Sequence, residues 1–228
     1  MYFAYQFMIK LSPIILVILL ATFLLASSSN VSAQRSKAPK KSAPTASKSF
    51  SMSAAQSQIT IILTQEGVLQ KIHPLHHVAA KNFTGRIQLP KDETKTVVEL
   101  DADTKSFVNI DTDMKDFEKS GFHKVLHGEV LQSDRFPNIK FRSVSVTNLQ
   151  KSANNRTFTL NGDLTLRGVT RRVAFPVKVT LNGNQLRATG EETIKQTDFS
   201  ITPYSGGLGT IKIGDQLKVS FTVVATAS

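Results

Sequence analysis

Residues 157–185 read TFTLNGDLTLRGVTRRVAFPVKVTLNGNQ. Phe158, Leu160, Leu164 and Leu166 share one parity, and Thr157, Thr159, Asn161, Asp163 and Thr165 take the other. Val173, Phe175, Val177, Val179 and Leu181 repeat the pattern. A period of two puts apolar side chains on one face of a strand and polar ones on the opposite face. The product is an antiparallel sheet with one wet side. Arg167-Gly168 marks a sharp reversal between the two runs. Asn182-Gly183 is a strong hairpin signal, and a type I′ turn is expected there because that turn needs positive φ at both centres.

The same alternation extends outward. Leu217, Val219, Phe221, Val223 and Ala225 form a further run. Earlier strands are expected at 59–64, 68–78, 82–89, 96–103 and 139–149. Pro74 demotes the second of these to an edge or bulged strand, since proline cannot donate a ladder hydrogen bond. One stretch departs from the β pattern. Asp113 is a good N-cap, and Met114, Phe117 and Phe122 follow at helical spacing. Gly121 and Gly128 interrupt that stretch, so two short helices or turns are expected over 113–131. Eight or nine strands, short turns and one helical excursion indicate an all-β, closed up-and-down antiparallel barrel.

The chain has 228 residues, no cysteine and a net charge of +11. Without cysteine there are no disulfides, no thiolate zinc site and no thiol nucleophile. Residues 1–55 carry six basic residues and no acidic one; the 22 basic and 17 acidic residues of 56–228 leave a net of +5. Charges of mixed sign at that modest excess give no footprint for nucleic acid. Lys10, the apolar run from Ile14 to Ala26, and Val31 and Ala33 at the −3 and −1 positions form a secretory signal peptide over 1–33, with cleavage after Ala33. An uncleaved anchor is the alternative, and Met8 is a second candidate start. The expected destination is periplasmic or secreted. Residues 34–57, rich in Ser, Ala, Lys and Pro, are expected to form a flexible basic linker. Its lysines allow transient contact with an anionic membrane surface. The domain is expected over 58–226.

Residues 135–143 (RFPNIKFRS), 158–171 (FTLNGDLTLRGVTR), 194–201 (IKQTDFSI) and 214–221 (GDQLKVSF) carry a resemblance in that order and spacing. The chain resembles the YceI-like family of lipid- or polyisoprenoid-binding periplasmic proteins over 56–226, most closely from Phe136 onward. The resemblance implies an extended, lipocalin-like barrel whose apolar channel holds a polyisoprenoid or other long-chain lipid tail. It implies neither catalytic machinery nor a cofactor. The family's Arg-Asp-x-His-Leu element is absent here, where residues 121–129 read GFHKVLHGE.

Inward strand positions give the candidate ligand-binding residues Phe141, Phe158, Leu160, Leu164, Phe175, Val177 and Phe221, with Phe199 in a lid turn. Parity alone leaves a filled core and an open channel equally possible; the resemblance selects the channel. The histidines form two clusters, His73, His76, His77 and His123, His127. They carry the alternative reading, a binding protein for a small amphiphile or a metal ion, against ordinary surface histidines. Asp163 is expected to be an exposed carboxylate bonded to nearby threonines or loop amides. Arg167, Arg171 and Arg172 form either a phosphate grip or a solvated rim. Gly206-Gly207-Leu208-Gly209 lacks the Lys-Ser/Thr that a phosphate loop requires.

Overall fold

A computed structural model describes residues 47–71 and 75–228. Among them are strands β1 (Lys48–Met52), β2 (Gln58–Glu66), β3 (Leu75–Ala80), β4 (Phe83–Leu89), β5 (Val97–Asp103), β6 (Phe107–Asn109), β7 (Asn138–Ser152), β8 (Asn155–Leu166), β9 (Val169–Asn182), β10 (Gln185–Lys195), β11 (Ser205–Gly206) and β12 (Ile211–Ala227). A single α-helix, α1 (Asp116–Val125), runs into a π-turn at Leu126–Val130.

The first six strands are three bent staves. β1 pairs with β4 (Ser51 opposite Arg86), and β2 continues that ladder on β3 (Thr60 opposite Ala79). β5 pairs with β4 and β6 with β3 in the same way. One hydroxyl bridges the first break: Ser57 Oγ donates to the Ser53 carbonyl at 2.6 Å and accepts the Val224 N–H at 2.9 Å. Five long strands follow in sequence, β7 to β10 and then β12, each antiparallel to its neighbours. β12 closes on β1 and β2 (Phe50 opposite Ala227, Val219 opposite Ile61), giving a closed barrel of eight antiparallel staves. Closure removes the unpaired edges that an open sheet would expose.

The barrel has two unlike ends. One, the helical end, carries α1, the π-turn, the Arg167-Gly168 turn and the segment between β10 and β12. The other, the hairpin end, carries the β4–β5, β7–β8 and β9–β10 connections. Buried side chains gather in two groups. One includes Phe83, Phe107, Leu126, Leu166 and Ile201; the other includes Phe50, Val146, Leu160, Val179 and Ala225.

Four expectations need correction. The domain begins earlier than 58, because Lys48–Met52 is a strand and not linker. Phe50, 1 % exposed, explains this: its ring is buried where β1 seals β4 to β12. Residues 68–78 are not one strand, since Val68–Lys71 form a 3-10 turn and β3 begins at Leu75. The helix starts at Asp116, capped where the Glu118 carboxylate accepts the Lys115 N–H at 2.7 Å. It passes through Gly121, whose absent side chain would meet nothing within 4 Å; a mid-helix glycine costs only about 1 kcal/mol. The β9–β10 turn centres on Gly183-Asn184, with positive φ at Gly183 alone. Positive φ at both centres occurs instead at Arg167 (50°) and Gly168 (73°). The proposed signal peptide and residues 34–46 lie outside the described residues.

Candidate functional site

The barrel encloses an apolar cavity of about 240 Å³. One buried water needs only ~10–15 Å³, so the interior is a chamber and not a packed core with stray voids. Its wall draws on all eight staves. It reaches from Leu126, Val130 and Leu131 at the helical end to Leu149 and Leu181 at the hairpin end.

Three aromatic rings form a belt inside it. Phe141 on β7 and Phe175 on β9 meet edge to face at 5.9 Å, and Phe175 meets Phe221 on β12 at 5.7 Å. Glycines make room for two of them. A Cβ on Gly162 would stand 2.4 Å from the Phe141 ring, and one on Gly190 would stand 2.6 Å from the Phe221 ring. Aromatic pairs in this geometry contribute about 0.5–1.5 kcal/mol beyond their burial, which holds the rings against the wall.

Of the sequence-derived candidates, Phe141, Phe158, Leu160, Leu164, Phe175, Val177 and Phe221 line the cavity. Phe199 is not among the lining residues. It is buried in the 3-10 turn Thr197–Phe199, beside a shallow surface depression that also touches Arg171, Arg172 and Asp198. Sequence reasoning did not find Glu93, Thr96, Arg156 and Gln196, the polar residues of the wall. Gln196 continues the inward parity of Leu186, Ala188 and Ile194, so its signal was present. Glu93 sits in a 3-10 turn, where no periodicity marks it.

At the hairpin end, Arg156 Nε donates to Glu93 Oε2 at 2.8 Å, and Lys151 Nζ lies 3.0 Å from Glu93 Oε1. Burial opposes ionisation of Glu93, but the hydrogen bonds from Arg156 and Lys151 outweigh it and hold the carboxyl below its ordinary range. The pair closes that end of the chamber with fixed, neutralised charge.

Outside the cavity, a polar network ties β2, β3, β6 and α1 together. Asp111 accepts from Asn109 Nδ2 (2.9 Å) and from the His77 N–H (3.1 Å). His76 Nδ1 and His77 Nδ1 stand 3.1 and 2.8 Å from its oxygens. The second nitrogen of His76 lies 3.0 Å from Gln65 Oε1. His123 Nε2 accepts the Asn109 N–H at 2.9 Å, and the rings of His123 and His127 lie 6.0 Å apart. Of the two histidine clusters, His76, His77, His123 and His127 lie at the helical end, each held by its neighbours; the Phe122 ring stands between His76 and His123, and His127 Nδ1 lies 3.1 Å from Ser133 Oγ. No group of three or more His, Asp or Glu among the described residues is placed to hold a metal ion. His73 lies outside the described residues. On the exterior, Asp163 accepts from Arg172 Nε at 2.8 Å and so pairs with an arginine, not with threonines or loop amides.

Comparison with known proteins places these features. The family model described as YceI-like domain matches residues 44–225. Burkholderia cenocepacia BcnA shares the fold at a TM-score of 0.59 and 20 % identity, covering 77 % of this chain and 99 % of its own. A domain from Saccharophagus degradans, described as a polyisoprenoid binding domain implicated in plant cell wall breakdown, shares it at a TM-score of 0.59 and 14 % identity, covering 78 % of this chain and 98 % of its own. No curated protein matches the sequence.

Proposed function

The chain belongs to the YceI-like family, and from that premise we propose that it is a lipid-binding protein whose barrel holds a polyisoprenoid or similar long-chain tail. The observation that carries this reading is the apolar cavity with its aromatic belt. A hydrocarbon tail gains about 0.8 kcal/mol for each CH₂ withdrawn from water. Such a wall therefore supports affinity without an array of polar contacts. The polyisoprenoid-binding description of the Saccharophagus degradans domain, which has the same fold, adds to it.

We propose further that the protein is exported to the periplasm or secreted, and that it acts without catalysis as a carrier or sequestering agent. The signal-peptide pattern of residues 1–33 motivates the first part. Support for the second part comes from a chamber whose wall offers a neutralised ion pair, one threonine and one amide as its polar groups. Native mass spectrometry of the full chain purified from its own cell envelope or medium tests the reading. The expected result is a mass increment that organic extraction releases as a prenyl or other long-chain lipid. Protein that emerges empty, and that fails to take up a fluorescent prenyl probe, contradicts it.

A further inference from the structure

The wall of the chamber is so uniformly apolar that its few polar atoms report on what enters. At the hairpin end they are spent on one another. Arg156 donates through Nε and one Nη to Glu93, and through its other Nη to the carbonyls of Ala153 and Asn155. Thr96 gives its hydroxyl proton to the Glu93 carbonyl at 2.7 Å.

Gln196, at the helical end, is different. Its side chain is 1 % exposed and lines the cavity. Its Nε2 donates to the Gly214 carbonyl at 2.9 Å. That bond fixes the amide, because the reversed orientation would set two carbonyl oxygens against each other. The backbone of Gln196 is occupied as well, donating to the Asp215 carbonyl and accepting from Phe199 and Ile201. Oε1 accepts no hydrogen bond from any described residue. Among the described residues, no side-chain polar atom sealed from open space lacks a partner. Oε1 therefore faces open space, and the open space beside Gln196 is the chamber.

An amide oxygen held in apolar surroundings without a donor is costly, and it is satisfied by a ligand that brings one. We propose that Gln196 is the polar recognition point of the cavity: its Oε1 accepts a hydrogen bond from the hydroxyl of a long-chain alcohol. The tail then runs past the Phe141, Phe175 and Phe221 belt toward the Glu93–Arg156 end. The inference rests on the lipid-tail reading and adds head-group chemistry and orientation. A carbonyl oxygen attracts a neutral donor and repels an anionic phosphate oxygen. Leu126 and Leu131 roof the same end, which favours a small head over a diphosphate.

The test compares farnesol with farnesyl methyl ether, matched in tail and differing in the donor, by competition against a fluorescent prenyl probe on the full chain. Farnesol is expected to bind about tenfold more tightly, the effect of one neutral hydrogen bond. Gln196→Leu is expected to abolish that preference while still binding both. The substitution also strips the Gly214 carbonyl of its donor, so its thermal midpoint is measured alongside. If the variant fails to fold, the wild-type ratio alone decides. Equal wild-type affinities, or a preference that survives in folded Gln196→Leu, overturn the proposal and leave the tail reading standing. Failure of both compounds to bind overturns the two together.

Discussion

Phe175 is where a chamber and a solid core make opposite demands. Its ring stands between those of Phe141 and Phe221 and faces open volume. Phe175→Trp is expected to abolish binding of a prenyl probe and to move the thermal midpoint little, because the larger ring has space to enter. In a filled core the same change costs typically about 1–3 kcal/mol, and a large midpoint drop would show it. Gly162→Ala is expected to behave in the opposite manner. Its Cβ would fall 2.4 Å from the Phe141 ring and 2.7 Å from the Arg142 carbonyl oxygen, so stability drops on the overpacking scale of about 1–3 kcal/mol, read as a lowered urea midpoint. pH acts through the network at the helical end. Burial, then the neighbouring His123, hold the His127 pKa below its ordinary value. For Asp111, burial raises the pKa, but hydrogen bonds from Asn109, His77 and His76 bring it below the usual carboxylate range. Both folded values are depressed, so both contributions are present at neutral pH and lost on acidification. Stability should fall below about pH 6.5 as His127 is titrated, and again below about pH 4 for Asp111. His127→Gln should flatten the first step and spare the second in a pH series of thermal midpoints. A first step unchanged by that substitution would assign it elsewhere. Strand parity made seven of the eight candidates legible, and all seven line the cavity. The eighth, Phe199, was placed without parity and does not line it, because it sits in a 3-10 turn outside any alternation.

At the scale of elements, strands with a clean period of two were readable and bent ones were not. β8 and β9 alternate over their length, and their pairing follows from the short turn between them. β12 alternates from Leu217 to Phe221, past an irregularity between Ile213 and Leu217, and reaches its partner β10 across residues 196–210. β1 is only five residues long and lies in a Ser- and Lys-rich stretch whose composition reads as linker. Its one aromatic side chain, Phe50, is buried where the barrel closes. A chain beginning at Ser47 is therefore expected to keep the full stability of the longer one. A chain beginning at Ser53 leaves β4 and the end of β12 unpaired, and such edges template association. It should unfold at markedly lower temperature and run as higher oligomers on size exclusion; monomeric behaviour at unchanged midpoint would show that β1 is dispensable. The helical excursion was legible in place but not in form. Gly121 and Gly128 suggested a break, yet both face open space, and the helix passes through one while the π-turn absorbs the other.

At the scale of the molecule, a closed barrel of eight staves can be filled by its side chains or left open for one ligand. Composition and periodicity are the same in both cases, because each needs an apolar inner face. What separates them is the summed volume of side chains from strands far apart in sequence, which no local pattern encodes. In this barrel the sum leaves a continuous chamber whose only charged lining groups, among the described residues, neutralise each other. The energetics of an occupant then come from methylene burial, and salt, which screens exposed charges within a Debye length of about 10 Å at 0.1 M, has little to act on. The most direct measurement is a titration of the full chain with prenols of three tail lengths at low and high salt. The account predicts affinity that rises with length until the chamber is full and stays constant between the two salt concentrations. Affinity indifferent to length and falling steeply with salt would contradict it, and would move recognition from the chamber to the charged exterior.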